Sequence, residues 1–346
     1  MKAFRFTGDA LVAIDQTRLP TESVWLTLRS PQAVAEAIRH LRIRGAPAIG
    51  VAAAYATALA IDPEGSLDKG RRDLARAVGV LVAARPTAVN LAWALRQVTE
   101  DESVLARESA RDLREAVVTR ARALEEEDER LGAAIGRHGA DLLRGIRSVI
   151  THCNTGALAT AGPGTALAVV AELFRREERF EVWVDETRPL LQGARLTAYE
   201  LQEAGIPYTL VAEGAVGALL RRGTVGAALV GADRITRNGD VANKIGTYNL
   251  AVLAREHGVP FYVAAPFSTF DPHLASGDAI PIEERAPEEI LEFGGERVAP
   301  EGARAWNPAF DVTPADLIGG YITERGVYRV PLPDEVFRRG GETDGS

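Results

Sequence analysis

GAALVGADRITRNGDVANKIGTYNLAVLAREHGVPFYVAA, residues 226–265, carries the pattern on which the fold turns. The apolar run 226–231 has the length of a buried strand. A helical pattern follows over 245–256, and a second apolar run, 260–265, opens on a proline. Strand, helix, strand in this order is the repeating unit of a parallel sheet.

The same alternation extends toward the amino terminus. Strand patterns at 148–151, 181–185 and 207–211 are separated by helical patterns at 165–175, 194–203 and 216–222. Helices are therefore expected on both faces of the sheet, and right-handed crossovers would place all the strand ends on one side. The polar segments 151–156, 185–188, 231–240 and 266–269 each follow a strand, so they should gather at the carboxyl edge, where open α/β sheets bind ligands. Upstream, residues 1–30 read as short strands and turns. Helices are expected at 31–41, 48–60, 73–84, 87–98 and 103–143. The chain thus divides into a mainly helical domain, 1–145, and an α/β domain, 146–346.

The 346 residues carry 40 Lys plus Arg against 48 Asp plus Glu, a formal charge of −8. That balance disfavours nucleic acid and anionic membranes as partners, while a small anionic substrate needs only a few placed donors. No secretory segment and no membrane-length apolar run is visible, so a cytoplasmic protein is expected. The single cysteine, Cys153, can form no intrachain disulfide, and the five histidines are scattered, so no metal site is expected.

Cys153, in Thr151-His152-Cys153-Asn154-Thr155-Gly156, lies at a strand end. A thiol there can transfer a proton, attack a carbonyl or fill space. His152 should point away from its neighbour on an extended chain, which favours a loop hydrogen bond over direct chemistry. Asp233 follows the 226–231 strand and becomes a general acid if burial raises its pKa, while Arg234 can contact an anion or form a structural ion pair. Asn243 and Lys244 are read as opening the next helix, Asn243 as its cap or as a hydroxyl ligand and Lys244 with the helix amides as an anion site. Arg44 and Arg85 each precede a helix and can hold a phosphate or a carboxylate partner. The turn Gly162-Pro163-Gly164 is another possible anion site, although no dinucleotide or Walker fingerprint is present. Asp185, Arg188 and Gln192 are read as orienting sugar hydroxyls and loops.

Taken together, RGAPAIG around Arg44, RPTAVNLAWAL from Arg85, THCNTG around Cys153, DETRPLLQGARLTAYEL from Asp185, GADRITRNGDVANKIGTYNLAVLA around Asp233, PFYVAAP and IPIEER resemble the S-methyl-5-thioribose-1-phosphate isomerases over nearly the whole chain. The resemblance implies an amino-terminal helical domain with a small antiparallel sheet, a carboxyl-terminal Rossmann-like domain and a homodimer. It matches the family's thiol to Cys153 and its catalytic carboxyl to Asp233. Substrate binding falls to Arg44 with Gly45 and Ala46 of the same motif, and to Arg85, Gln192, Asn243 and Lys244. Two departures stand out: Ala212-Glu213-Gly214 where the family has an Asp followed by a small residue and Ala, and Pro163 where it has an aromatic.

The implied reaction converts an aldose 1-phosphate to a ketose 1-phosphate by Cys153/Asp233 acid–base chemistry, with no cofactor. A hydride shift is the competing mechanism. Other readings within the wider superfamily are isomerisation of 5-deoxyribose 1-phosphate or ribose 1,5-bisphosphate, and a non-catalytic regulatory subunit. Having both Cys153 and Asp233 favours an enzyme.

Overall fold

The computed structural model describes residues 1–85, 89–177 and 179–337. It falls into two compact units. The first comprises Met1–Ala133 with Thr155–Gly164, and the second Ala134–Asn154 with Thr165–Ser346.

The first unit opens with a three-stranded antiparallel sheet, β1 (Phe4–Phe6), β2 (Leu11–Ile14) and β3 (Trp25–Leu28), in which the central β2 is wholly buried. Helix α1 (Pro31–Arg39) starts where the Ser30 side chain accepts the Ala33 N–H, with proline at the first helical position. Helix α2 (Ala46–Ala58) is buried continuously from Ala48 onward, as an Ala-rich helix apolar on every side must be. Helix α3 (Leu67–Val82) begins six residues before the expected start because Ser66 caps it, accepting from Lys69 N–H. Helix α4 (Val89–Thr99) follows. The long 103–143 pattern resolves into two helices. The Asp101 side chain caps a single short turn, α5 (Glu102–Leu105), and Ser109 and Asp112 then start α6 (Ala110–Leu142). Helix α6 crosses the division between the units at Ala133.

The second unit contains β4 (Ser148–Thr151), α7 (Ala166–Arg176), β5 (Glu181–Asp185), a π-helical turn at Gly193–Thr197 leading into α8 (Ala198–Glu203), β6 (Tyr208–Val211), α9 (Val216–Arg221) and β7 (Ala227–Val230). The chain continues through β8 (Arg234–Ile235), β9 (Val241–Lys244), α10 (Thr247–Glu256) and β10 (Phe261–Ala264). It ends with α11 (Glu288–Leu291), the hairpin β11 (Glu292–Phe293) and β12 (Glu296–Arg297), then β13 (Phe310–Thr313), β14 (Gly320–Thr323) and β15 (Gly326–Tyr328). The main sheet has the order β15-β14-β10-β7-β4-β5-β6, parallel except at β15. Counted along the chain, the six parallel strands lie in the Rossmann order 3-2-1-4-5-6.

Strand periodicity builds two cores. Ile150, Ala228, Val230 and Val263 face α9 and α10, with Val216, Leu219, Leu250 and Ala254. Their chain neighbours Val149, Ala227, Leu229 and Ala264 face the other way, with Ile135 of α6 and Leu167, Val170 and Leu173 of α7. The sheet is therefore covered on both faces, as expected. The strand order reverses between β4 and β7, which makes the crevice beyond their carboxyl ends the topological switch point. Cys153 leaves β4 there and Asp233 leaves β7.

Candidate active site

Cys153 is buried and takes φ +62, the left-handed region that few non-glycine residues adopt. Both of its peptide groups are held by threonine hydroxyls. Thr187 Oγ1 accepts the Cys153 N–H at 2.8 Å, and Thr197 Oγ1 donates to the Cys153 carbonyl at 2.6 Å. Thr187 is itself at φ +67, where a β-branched residue is a clear outlier, and its hydroxyl donates to the Asp185 carbonyl at 3.0 Å. Thr197 closes the π-helical turn, a local distortion frequent at functional sites. Gln192 immediately precedes that turn. It is buried, and its Oε1 has no hydrogen-bond partner among the described residues.

Asp233 continues from β7, with its N–H donating to the Ala242 carbonyl at 2.9 Å. The residue is exposed, so the burial on which its reading as a protonated acid is conditional is not present in this structure. Arg234 lies 3.8 Å from Asp271, so its ion-pair reading has a partner.

Asn243 and Lys244 do not open a helix. They end β9, which pairs antiparallel with β13, opposite Asp311 and Phe310. The helix begins at Thr247, after Gly246 at φ +99. A β-carbon at Gly246 would lie 2.3 Å from Glu213 Oε1 and 2.7 Å from His152 Cε1, so only glycine fits. The Asn243 amide donates to Thr247 Oγ1 at 2.9 Å, and the Thr247 hydroxyl donates to the Lys244 carbonyl at 2.6 Å. The Lys244 ammonium donates to the Ala309 carbonyl and lies 4.6 Å from the centre of the Phe310 ring.

Two expected anion sites are filled by the protein's own carboxylates. Asp311 accepts the N–H groups of Gly246 at 2.7 Å and Tyr248 at 3.1 Å, capping α10 from β13. In the first unit, Asp128 Oδ2 accepts the N–H groups of Ala161 at 2.7 Å and Gly162 at 3.1 Å at the glycine turn. Burial raises the pKa of each to about 6, outweighing the donated N–H bonds that lower it.

Sequence reasoning favours a loop hydrogen bond for His152 over direct chemistry and reads Asp185 as orienting sugar hydroxyls and loops. In the structure the two pair with each other. His152 is fully buried, with Nδ1 2.9 Å from Asp185 Oδ2 and Nε2 2.8 Å from the Ile245 carbonyl. Asp185 is 1% exposed, and both of its carboxyl oxygens have protein partners, His152 Nδ1 and the Thr187 N–H. Burial pulls the His152 pKa down, but the Asp185 hydrogen bond and charge, aided by Glu213, more than offset it, and the net direction is upward. Glu213 is raised, chiefly by burial, against the N–H it accepts from Arg188. The Arg188 guanidinium lies over the Phe293 ring at 5.5 Å and donates to the Pro189 carbonyl.

In the first unit, Arg44 is half-buried and precedes Gly45, the N-cap of α2 at φ +93. A β-carbon at Gly45 would lie 2.2 Å from the Ala159 carbonyl oxygen, which also accepts the Ala48 N–H at 3.2 Å. Ala46 is the first residue of α2. Arg85 is half-buried beyond α3, and the rest of the expected turn, residues 86–88, lies outside the described residues.

Residues 42–330 match the model of the Initiation factor 2 subunit family. The 5-deoxyribose 1-phosphate isomerase of Moorella thermoacetica is 52% identical over 94% of this chain and 93% of its own. The methylthioribose-1-phosphate isomerase of Thermus thermophilus is 51% identical over 97% of each chain. Among solved structures, 5-methylthioribose 1-phosphate isomerase from Pyrococcus horikoshii superposes with a TM-score of 0.91 at 40% identity, covering 97% of this chain and 95% of that one. Translation initiation factor eIF-2B, subunit delta, from A. fulgidus gives 0.89 at 39% identity, covering 97% and 99%. Among the described residues no helix is long and apolar enough to cross a membrane.

Proposed function

We propose, from the fact that this chain belongs to the Initiation factor 2 subunit family and shares about half its residues with sugar-1-phosphate isomerases, that it converts 5-methylthioribose 1-phosphate to 5-methylthioribulose 1-phosphate in methionine salvage. The observation that carries this reading is the placement of Cys153 and Asp233 at the ends of the two strands that flank the switch point.

Phosphate on the anomeric oxygen prevents ordinary opening to a free aldehyde. Asp233, exposed in this structure and protonated only once bound substrate covers it, protonates the ring oxygen while the Cys153 thiolate takes the proton from the second carbon. The carbon–ring oxygen bond breaks and the C–H electrons form the double bond of an enol phosphate. The enol hydroxyl proton then returns to Asp233 as the thiol proton goes to the first carbon, which gives the ketone and restores both residues. Gln192, with its buried acceptor, and Asn243 bind sugar hydroxyls. Lys244 binds phosphate, and the family resemblance assigns Arg44, Gly45, Ala46 and Arg85 to substrate binding as well. The working protein is a cytoplasmic homodimer.

The relative named for 5-deoxyribose 1-phosphate favours a second substrate that differs only at the five-position. The test is a substrate panel of both sugars and ribose 1,5-bisphosphate with product identification by NMR. Ketose formation from 5-methylthioribose 1-phosphate, abolished in Cys153→Ser and Asp233→Asn, is expected. Binding without turnover would instead favour the regulatory reading, and near-normal turnover in both variants would remove the assigned roles. Solvent exchange of the proton at the second carbon would establish proton transfer, whereas strict retention fits a hydride shift or a base shielded from water.

A further inference from the structure

We propose that His152 is a positioning residue held as an imidazolium, a two-armed clamp that joins the cysteine loop to the end of β5 and to the start of α10. This rests on the isomerase reading for its effect on turnover, but not for the charge on the ring.

The argument begins with the two partners. The Ile245 carbonyl oxygen can only accept, so Nε2 carries a hydrogen. Nδ1 faces Asp185 Oδ2, while the other Asp185 oxygen accepts the Thr187 N–H at 3.4 Å. An imidazolium donates from both nitrogens and so meets both partners at once, and the Asp185 hydrogen bond and charge favour that form against the burial that opposes it, so Nδ1 is assigned the second hydrogen. With neither ring nitrogen left as an acceptor, His152 is not the base for Cys153.

The charged groups that act on the ring come from three strands of the unit and the loops that follow them. Asp185 ends β5, Glu213 follows β6, with Glu186 beyond it, and Asp311 lies on β13. Their negative potential offsets the cost of burying the cation.

Each arm holds a segment that the reaction needs. One reaches the strand end that carries Thr187, whose hydroxyl accepts the Cys153 N–H. The other holds Ile245, next to Lys244. The ring also packs against Gly246, where a β-carbon would come within 2.7 Å of Cε1. Removing the second ring hydrogen would set an Nδ1 lone pair against a carboxylate and release one arm.

The test is 15N NMR of histidine-labelled protein near neutral pH, with wild type and Asp185→Asn compared. In that variant the side-chain amide can donate to Nδ1 while its oxygen still accepts from Thr187, so the need for charge is removed and the bonds are kept. In wild type one histidine should show two protonated ring nitrogens that do not titrate through neutrality. In Asp185→Asn that same residue should change to one protonated and one bare nitrogen. A neutral ring facing Asp185 in the wild type would overturn the proposal even if isomerase activity is confirmed. If the wild type isomerises no sugar phosphate, the NMR result still decides the charge. His152→Gln, shown to be folded by circular dichroism, should lower kcat by about 10- to 100-fold through loss of positioning. Turnover within about threefold of wild type, too small a change for lost positioning, would overturn the clamp.

Discussion

Thr187 Oγ1 accepts the backbone N–H of Cys153 at 2.8 Å, and both residues lie in the left-handed region, at φ +67 and +62. Two adjacent strand ends thus hold each other in conformations that neither sequence favours. Strained backbone of this kind persists only where its surroundings over-determine it.

Thr187→Val keeps the shape and removes the acceptor. The Cys153 N–H is then buried without its partner, a loss of about 1–3 kcal/mol. Urea unfolding should show that destabilisation, and steady-state kinetics should show a lower kcat. Thr187→Ser keeps the hydroxyl and should recover most of both.

Gln192→Leu should separate stability from function. The buried Oε1 makes no hydrogen bond among the described residues, so its removal costs the folded protein little. Loss of a bond to a sugar hydroxyl should raise KM about tenfold or more. A Tm within a few degrees of wild type together with a raised KM is the expected pair. An unchanged KM would remove Gln192 from the site.

Asp128 and Asp311 give opposite results when changed to asparagine. Asp128 accepts both of its N–H groups on a single oxygen, which an amide can reproduce. Asp311 uses both oxygens, so an asparagine in its place must turn an NH2 toward an N–H and lose half the cap. Asp311→Asn should therefore cost about 1–2 kcal/mol above pH 6, while Asp128→Asn should not.

Asp128 also carries a pH signature. Folded, it keeps its proton to about pH 6, while an unfolded aspartate loses it near pH 4. Between those values the folded state binds more protons, so this contribution is full below about pH 4 and is lost as pH rises through about 6. The difference in unfolding free energy between wild type and Asp128→Asn should shift by about 1–3 kcal/mol across that window. A flat difference would contradict the raised pKa.

Gly246→Ala places a methyl group against Glu213 and His152 at φ +99. The left-handed conformation alone costs about 1–2 kcal/mol, and Glu213 has little freedom to retreat while it accepts the Arg188 N–H. A marked fall in Tm is expected. A neutral change would show that this cradle is looser than the contacts imply.

Much of this was legible in the sequence because apolar strand runs and their polar ends are local signals. The parallel strands at 148–151, 181–185 and 227–230, and the arrival of Cys153 and Asp233 at one edge, follow from them. Asn243 and Lys244 were misread because the strand they form is made by a partner far along the chain, β13, whose pairing no local pattern reports. Asp311 caps α10 from that same distant strand, so its role was equally hidden. The His152–Asp185 pair depends on register: Thr151 lies opposite Val184, which sets the next residues side by side. Periodicity shows which face a residue takes, and register decides which neighbour it meets. The alternation of Phe310-Asp311-Val312-Thr313 was a signal for β13 itself, although not for its position.

The strand order of the main sheet is the one that, in dinucleotide enzymes, places a tight glycine turn and a helix start beneath a pyrophosphate. Here the first strand ends at Thr151 and the next helix does not start until Ala166, and the intervening stretch carries a thiol at the crevice. The connection that in those enzymes faces a diffusible cofactor here carries a side chain of the protein's own at the same edge. Lineages sharing this scaffold could therefore gain or lose chemistry by altering a single connection and leaving the sheet as it is.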